Sequence, residues 1–388
     1  MTKEYLEHTQ DLVKDQSRIC GFFRMTDYDY DMSVLFEELK QYINRRFTGP
    51  VEFNHQDRFV FLLDDLDSFF DVPLTLYNLQ LILRELDISN SFCRIITNFP
   101  NYQQYADRVQ QRLVADIPLP VIDSSLYFQN VYNHRVAPIE TGTVSHPFVI
   151  LSRLSRFHRT FFMSELFAHG LQDVGLVSYH NIPATYDQER LQLHKETVNT
   201  QAPLKFVYPV PYTRGNHEYV IRTRDKQIQV NEFQSRINSF INFNESVVGV
   251  KKNAQRYQHD VIQNGLIYVG LETAVNTPEP FITQISFKGI TNRRPFVIFG
   301  SPNTLNFIRE LGFKTFSNYW DEGYDLEPDF TKRAELIVQI LNDISAQDIT
   351  HLLEDMEPIL EYNYQHFINN FSVAEKQKLI KGIINGRF

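Results

Sequence analysis

The chain has 388 residues, of which 43% are hydrophobic and 22% are charged, and its formal net charge is −9. This composition excludes a disordered or fibrous protein and predicts a globular protein, with two domains as the expected number for this length. The acidic balance argues against non-specific coating of nucleic acid, which depends on neutralising phosphates, but it leaves a local basic groove open.

Cysteine content and hydropathy indicate the cellular compartment in which the protein is expected. The 2 cysteines, Cys20 and Cys93, provide no disulfide framework in so long a chain, which favours a reducing compartment. No run approaches the roughly 18 apolar residues that a membrane span needs. The first residues are polar and charged, unlike a secretory signal. We therefore expect a cytoplasmic protein with no membrane span.

In the first half of the chain, apolar runs of strand length alternate with helical patterns. The predicted elements are a helix at 34–47, a strand at 58–63, a helix at 74–86, a strand at 92–99, a helix at 102–114, a strand at 147–152 and a helix from about His158. Strands that alternate with helices are typical of a parallel sheet with crossover helices.

The second half resumes this order after a polar, proline-containing stretch at 182–232. The predicted elements are a strand at 264–273, a helix at 281–290, a strand at 294–300, a helix at 301–312, a helix at 329–344 and further helices to the end. Ser301 is the predicted N-cap of its helix, and Gly312 ends that helix.

These patterns predict an α/β fold with two Rossmann-like domains that face each other across a cleft. The predicted boundaries are an N-terminal α/β domain at 1–180, a connection or insertion at 181–232, a C-terminal α/β domain at 233–345 and a helical tail at 346–388. In such sheets, ligands bind outside the carboxyl ends of the strands.

The turn after the strand at 147–152 is basic. The sequence SRLSRFHR places Arg153, Arg156, His158 and Arg159 between that strand and the helix that follows. Guanidinium groups at a helix N-terminus suit a phosphate or diphosphate. A solvated basic turn is the alternative.

Other sequence signals are weaker. FGSPNTL (299–305) is a second strand-to-helix turn, but the chain has neither a GxGxxG nor a P-loop pattern, which disfavours dehydrogenases and ATPases. Asp65 and Asp67 form a D-x-D after a strand, which either binds a divalent cation or caps a helix. No G-x-S-x-G, zinc spacing or kinase signature is present.

The segment 312–328, GFKTFSNYWDEGYDLEP, combines the chain's only tryptophan, Trp320, with several acids and a tyrosine. Two interpretations stand: an irregular loop that its own side chains hold in place, or a wall that lines a ligand. Simple packing is the common role of such aromatic residues.

Two blocks of the chain resemble a family of glycosyltransferase-like proteins from large bacteriophages and other viruses. FVILSRLSRFHRTFFMSELFAHGLQDVGLVSYHN resembles that family's strand, basic turn and helix. LETAVNTPEPFITQISFKGITNRRPFVIFGSPNTLNFIRELGFKTFSNYWDEGYD resembles its C-terminal block, in which Leu-Gly-Phe-Lys-Thr-Phe precedes Asp-Glu-(small)-Tyr-Asp. The resemblance covers roughly residues 145–345.

The resemblance implies a two-domain glycosyltransferase of the GT-B type, distantly similar to fucosyltransferases, whose C-terminal domain binds most of a nucleotide-sugar donor. The residues that match motif positions of the family are Arg153, His158, Arg159, Glu272, Lys288, Asp321, Glu322, Tyr324 and Asp325. With Asp65 of the D-x-D added, the catalytic candidates are His158, Glu272 and Asp65. The candidates for binding the donor and its diphosphate are the other matching residues together with Arg293, Gln284 and Ser301.

The chain departs from the family pattern at one place. Where the family has Glu-Lys, this sequence has Gln284 and Ile285. Gln284 retains an acceptor for a ribose hydroxyl, but Ile285 cannot offset phosphate charge. Lys288, Arg293 or Arg294 then compensates, or the donor differs, or activity is lost.

Glycosyl transfer needs a base for the acceptor hydroxyl and positive charge for the leaving diphosphate. A GT-B enzyme typically needs no bound metal, so no cofactor is expected. In the hypothesis that follows, Arg153, Arg159 and Lys288 hold the diphosphate. Glu272 or Glu322 contacts the donor ribose or sugar.

The base is unassigned, with His158 and Asp65 as candidates. The acceptor classes left open are a glycan, a protein and a hydroxymethylated base in DNA, of which the first and the last are the expectation. Trp320 and Tyr324 are candidates for stacking on a sugar or base. The alternatives are a degenerate transferase fold that acts as a binding or virion-associated protein, and a metal-dependent GT-A enzyme that uses Asp65 and Asp67. If the protein is viral, it acts in the host cytoplasm.

Overall fold

The structure, a computed structural model, describes residues 2–13, 18–24, 32–46, 57–63, 79–97, 121–126, 144–152, 157–179, 261–273, 275–277 and 280–385. These residues form two compact units. The described residues up to 126 and those from 373 onward make the first unit, and residues 144–179 and 261–372 make the second.

The first unit is built on a four-stranded parallel sheet with the order β1-β2-β3-β4. Its strands are β1 (Arg18–Arg24), β2 (Asp57–Leu63), β3 (Cys93–Thr97) and β4 (Val121–Ser124). Each consecutive pair is parallel, so each connection must cross over the sheet, as the alternation of strand and helix patterns predicted. Residues 79–85 supply helical structure between β2 and β3.

Helices cover the first sheet. Helix α1 (Thr2–Val13) precedes β1, and α2 (Met32–Arg46) connects β1 to β2. One core cluster joins alternate residues of three strands to side chains of α1 and of the last helix. Its buried members are Val13, Phe22, Val60, Leu62, Ile96, Leu379 and Ile383. The period-2 alternation therefore aims one face of the sheet at these two helices.

The last helix of the chain, Ser372–Asn385, belongs to the first unit almost entirely. Arg58 of β2 donates to the carbonyls of Ile383 and Ile384, which lack partners within the helix because they lie in its last turn. Glu375 is buried, and its Oε2 accepts a hydrogen bond from the Leu126 N–H at 2.7 Å. These contacts fix both ends of the helix on the first sheet.

The second unit contains a four-stranded parallel sheet with the order β6-β5-β7-β8. Its strands are β5 (His146–Ser152), β6 (Leu176–Tyr179), β7 (Gly265–Leu271) and β8 (Phe296–Phe299). All seven residues of β7 are buried, as expected for a central strand covered on both faces.

Helices follow the strands of the second sheet. They are α3 (Phe157–Ala168) after β5, α4 (Gln284–Thr291) after β7 and α5 (Thr304–Glu310) after β8, followed by α6 (Phe330–Ser345) and α7 (Ile349–His366). A π-helical turn, Phe367–Phe371, joins α7 to the last helix, α8 (Ser372–Asn385). Helix α3 packs against α6, with Phe161 edge-on to Phe330, and α4 packs against α7.

The predicted domain boundaries differ from the structure in two places. Strand β5 and helix α3 were expected in a domain that ends at residue 180, but β5 pairs with β7 and lies in the second sheet. The tail at 346–388 divides near residue 372 between the two units. Parallel strands are joined by long crossovers, so a strand's position in the sequence does not reveal which sheet it joins.

The helix after β8 begins later than predicted. Asn303, with a left-handed φ of 65°, is its N-cap, and Ser301 lies outside the helix, so the assignment of Ser301 as N-cap was wrong. Gly312 ends the helix as predicted, with φ 93°. The Gly312 and Phe313 N–H groups donate to the carbonyls of Arg309 and Ile308, which is the Schellman arrangement.

Candidate functional site

The second sheet has a topological switch point between β5 and β7. From β5 the chain crosses to β6 on one side, whereas from β7 it crosses to β8 on the other side. Right-handed crossovers therefore place α3 and α4 on opposite faces, and their N-termini diverge above the carboxyl ends of β5 and β7. A crevice at this position is the usual ligand site of open parallel sheets. We call it the switch-point crevice.

His158 and Arg159, at the start of α3, contact the backbone at the end of β7. The Nε2 of His158 lies 3.0 Å from the Glu272 carbonyl oxygen, and the Nε of Arg159 donates to the same oxygen at 3.3 Å. A carbonyl only accepts, so Nε2 carries a proton in this contact. Both side chains are buried. The two residues tie α3 to the end of β7.

The Glu272 carboxylate is fully buried and caps helix α4. Its Oε1 accepts hydrogen bonds from the Thr283 N–H, the Ser286 N–H and the Ser286 hydroxyl. Its Oε2 accepts from the Thr273 N–H and the Thr283 hydroxyl. An anion at a helix N-terminus satisfies unpaired N–H groups and favours the dipole. The carboxylate is thus engaged within the protein, and it does not face a donor sugar as the resemblance implied.

Lys288, one turn into α4, is the second cation beside this crevice. Burial, together with the nearby charge of Arg159, lowers the pKa of Lys288 to about 8, while Glu272 acts in the opposite direction. Tyr268 of β7 is fully buried nearby, and burial and the Glu272 charge raise its pKa. Arg159, Glu272 and Lys288 are therefore close enough to interact electrostatically, which brings together three of the predicted residues.

The remaining predicted residues of α4 and its C-terminal turn lie at different places. Gln284 is exposed at the first position of the helix. Arg293, with a left-handed φ of 47°, pairs with Glu361 at 3.1 Å and stacks over the Tyr364 ring. It follows the C-terminal end of α4, whereas the crevice lies at the N-terminal end. The structure therefore does not place Arg293 at the crevice.

Arg294 and Ser301 have structural partners. Arg294 is buried and donates to the Gln263 carbonyl at 2.7 Å, and burial lowers its pKa to about 10. Ser301 is fully buried, and its hydroxyl accepts from the Thr277 N–H at 3.0 Å. Ser301 thus holds the loop between β7 and α4 to the end of β8.

Glu322 holds the 312–328 segment together. Its carboxylate accepts hydrogen bonds from the Phe316 N–H at 2.7 Å and the Thr315 hydroxyl at 2.8 Å, and it pairs with Arg309 of α5. The Glu322 side chain is only 6% exposed. These bonds support the first interpretation of the segment, an irregular loop that its own side chains hold in place.

Tyr324 and Asp325 also serve the fold. The Ile298 N–H of β8, a buried strand at the end of the sheet, donates to the Tyr324 hydroxyl, so the tyrosine satisfies a backbone donor of that strand. The Asp325 carboxylate accepts from the Leu305 N–H at 3.0 Å and thereby caps α5. Burial raises the pKa of Asp325, and those backbone hydrogen bonds oppose the rise. Burial also raises the pKa of Tyr324.

Asp321 and Trp320 complete the segment. Asp321 is exposed and accepts from the Gly323 N–H at 2.8 Å. Trp320 is 8% exposed and stacks on Phe316, with ring centroids 5.3 Å apart. The indole is therefore packed within the segment and does not present its face for stacking on a sugar.

Four predicted residues lie outside the described residues: Arg153 and Arg156 in the basic turn, and Asp65 and Asp67 in the D-x-D. In the part of the chain that the structure describes, no group of three or more His, Cys, Asp or Glu side chains could hold a metal ion. No helix among the described residues is long and apolar enough to cross a membrane.

Several residues that shape this region were not predicted from the sequence. Thr283 is the N-cap of α4, and Ser286 completes the set of donors to the Glu272 carboxylate. A threonine near a predicted helix start was the available signal for the N-cap. Arg333 of α6 is fully buried and donates to the Val275 carbonyl, which anchors the loop between β7 and α4.

The chain was compared with known proteins at the levels of family, sequence and structure. No family model, no curated protein and no solved structure matches it.

Proposed function

We propose that the protein is a nucleotide-sugar-dependent glycosyltransferase of the GT-B type that binds the donor diphosphate at the switch-point crevice. The observation that carries this proposal is the convergence of Arg159 and Lys288 at the carboxyl edge of the second sheet. The two cations repel each other, the Glu272 carboxylate offsets part of that repulsion, and a bound anion offsets more of it. A diphosphate supplies such an anion.

The architecture supports the same proposal. Each unit contains a four-stranded parallel sheet, which fits the two Rossmann-like domains that the GT-B type implies. The resemblance assigns the donor to the C-terminal α/β domain, and the switch-point crevice belongs to the second unit. Charge for the leaving group then comes from protein side chains and helix N-termini.

The chemistry is a displacement at the anomeric carbon of the donor sugar. The bond from that carbon to the diphosphate oxygen breaks, a bond to the acceptor oxygen forms, and the acceptor proton passes to a base. Arg159 and Lys288 stabilise the charge on the departing diphosphate. His158 and Asp65 remain the candidate bases. Glu272 acts as a positioning residue because its carboxylate caps α4.

We assign the acceptor to one of two chemical classes on the basis of the resemblance. These are a glycan and a hydroxymethylated base in DNA; if the protein is viral, the enzyme acts in the cytoplasm of the host cell. The choice between the two classes rests on product analysis with each acceptor.

A second candidate function is a transferase fold that binds a ligand or partner without catalysis. Ile285, which replaces the family's lysine, packs against an apolar cluster that includes Val149, Ile262 and Tyr268. The acidic side chains of Glu272, Glu322 and Asp325 are all engaged in internal hydrogen bonds. Acidic side chains that hold the fold, and an isoleucine in place of a phosphate-binding lysine, suit a transferase fold that no longer catalyses transfer.

A panel of nucleotide sugars tests the proposal. Wild-type protein is expected to show an increased melting temperature with at least one donor and to hydrolyse it slowly. Lys288→Met should abolish the shift, whereas Lys332→Met, at an exposed position on α6, should preserve it. Absence of any shift with wild-type protein would overturn the proposal. Binding without transfer to any acceptor favours the second candidate.

The metal-dependent alternative is tested separately. The proposal predicts full transfer activity in excess chelator. Loss of activity in chelator, with recovery on addition of Mg²⁺ or Mn²⁺, would instead favour the GT-A mechanism through Asp65 and Asp67.

A further inference from the structure

Ser152, the last residue of β5, carries a buried hydroxyl whose hydrogen bonds are unsatisfied. The residue is 2% exposed. Its Oγ has no hydrogen-bond partner among the described residues. A buried polar group without a partner costs free energy, and native structures contain few of them. Because β5 ends at the switch-point crevice, a bound ligand is a candidate for the missing hydrogen-bond partner.

The side chain of Ser152 points toward the face of the sheet that carries α3. Side chains alternate along a strand, and Leu151 packs on one face against the same apolar cluster as Ile285 of α4. Ser152 therefore lies on the opposite face. Helix α3 packs there, because Phe162 contacts the Phe299 ring at a centroid distance of 5.2 Å.

Helix α3, which follows β5 along the chain, supplies a second feature. It has 12 residues, so the positive end of its dipole lies at its N-terminus. Arg159 in its first turn carries a positive charge. A group that accepts a hydrogen bond from Ser152 near this positive charge is expected to be anionic and rich in oxygen.

We propose that Ser152 contacts the ligand, with its Oγ donating a hydrogen bond to a phosphoryl oxygen bound at the N-terminus of α3. The attachment of that phosphoryl group to a nucleoside rests on the proposed function. The contact between Ser152 and a phosphoryl oxygen does not. Ser152 thereby adds a hydrogen bond from the end of β5 to the bound phosphoryl group.

Calorimetric titration with inorganic pyrophosphate, UDP, GDP and ADP tests this proposal in the full chain. Ser152→Ala should weaken the best of these probes by roughly 10- to 100-fold, the effect of losing a hydrogen bond to a charged group. The same variant should unfold at the wild-type temperature or higher, because it removes an unsatisfied hydroxyl. Ser152→Thr keeps the hydroxyl and should restore most of the affinity.

Ser164→Ala is the matched control. Ser164 lies in α3 and donates to the Phe161 carbonyl at 2.7 Å, so its loss should leave probe affinity unchanged. Equal affinity of Ser152→Ala and wild-type protein for every probe would overturn the Ser152 assignment while leaving the proposed function intact. Binding of pyrophosphate alone, still weakened in Ser152→Ala, supports the assignment and contradicts the nucleotide-sugar function. Absence of binding of all four probes to wild-type protein overturns both.

Discussion

Replacing Glu272 by glutamine separates a structural carboxylate from a catalytic one. The carboxylate accepts three hydrogen bonds at Oε1 and two at Oε2. A glutamine amide retains one oxygen, so whichever way it is oriented, its NH₂ group faces a backbone N–H, either that of Thr273 or those of Thr283 and Ser286. At least one buried N–H loses its acceptor, and the remaining hydrogen bonds lose the full charge of the acceptor.

The expected loss of stability follows from these bonds. Hydrogen bonds to charged groups contribute about 1.5–3 kcal/mol each, so the loss of one costs about 1.5–3 kcal/mol and the loss of a second adds to this. For a unit of this size, each kcal/mol lowers the melting temperature by roughly 2–4 °C. We therefore expect Glu272→Gln to unfold at least about 3 °C below wild-type protein.

The assay uses the chain's only tryptophan. Trp320 lies in the second unit, so its fluorescence reports on the unfolding of that unit alone. Asp321→Asn serves as the control because Asp321 is exposed, and a surface change of this kind is usually within about 0.5 kcal/mol. A Glu272→Gln protein with wild-type stability and no transfer activity would refute the cap and return Glu272 to a direct role in chemistry.

Three further predictions concern single side chains. The pKa of Lys288 is about 8 in the folded state and 10.5 ordinarily, so diphosphate affinity should fall as pH rises through 8. This pH dependence should be lost in Lys288→Met and kept in Lys332→Met. Tyr324→Phe removes the acceptor for a β8 N–H and should cost about 1–3 kcal/mol in urea denaturation. Burial raises the pKa of Cys93 to about 12, so in a Cys20→Ala background no thiol should react with Ellman's reagent at pH 8 until the protein is unfolded.

The outcomes that contradict these predictions are distinct. Lys288 with an ordinary pKa would give a flat affinity profile across pH 7–9. Unchanged stability of Tyr324→Phe would mean that water replaces the hydroxyl at the edge strand. Rapid labelling of Cys93 in the folded protein would show that β3 is accessible.

The sequence revealed most strands and helices of the second sheet because their patterns are local. The apolar run that includes Phe296 and Phe299 predicted β8, and the apolar run within 264–273 predicted β7. The first strand, β1, was missed. Its sequence, RICGFFR, interrupts the apolar run with a glycine and begins and ends with arginine, so it gives neither clean alternation nor a continuous apolar stretch.

The candidate site was harder to predict because its contacts join distant segments. The basic turn selected Arg159, the resemblance selected Glu272 and Lys288, and the structure brings their charges together. Neither signal showed that the Glu272 carboxylate is used within the fold, since its donors Thr283 and Ser286 come from the start of the next helix. The acids of the 312–328 segment matched a pattern, but the pattern does not distinguish a ligand contact from an internal hydrogen bond.

The most direct test of the central claim is a crystal structure of the protein with a bound nucleotide sugar or nucleoside diphosphate. We predict that the diphosphate lies at the carboxyl ends of β5 and β7, within hydrogen-bond distance of Arg159 and Lys288. A diphosphate bound instead to the first sheet, or to the 312–328 segment, would contradict the assignment of the switch-point crevice as the donor site.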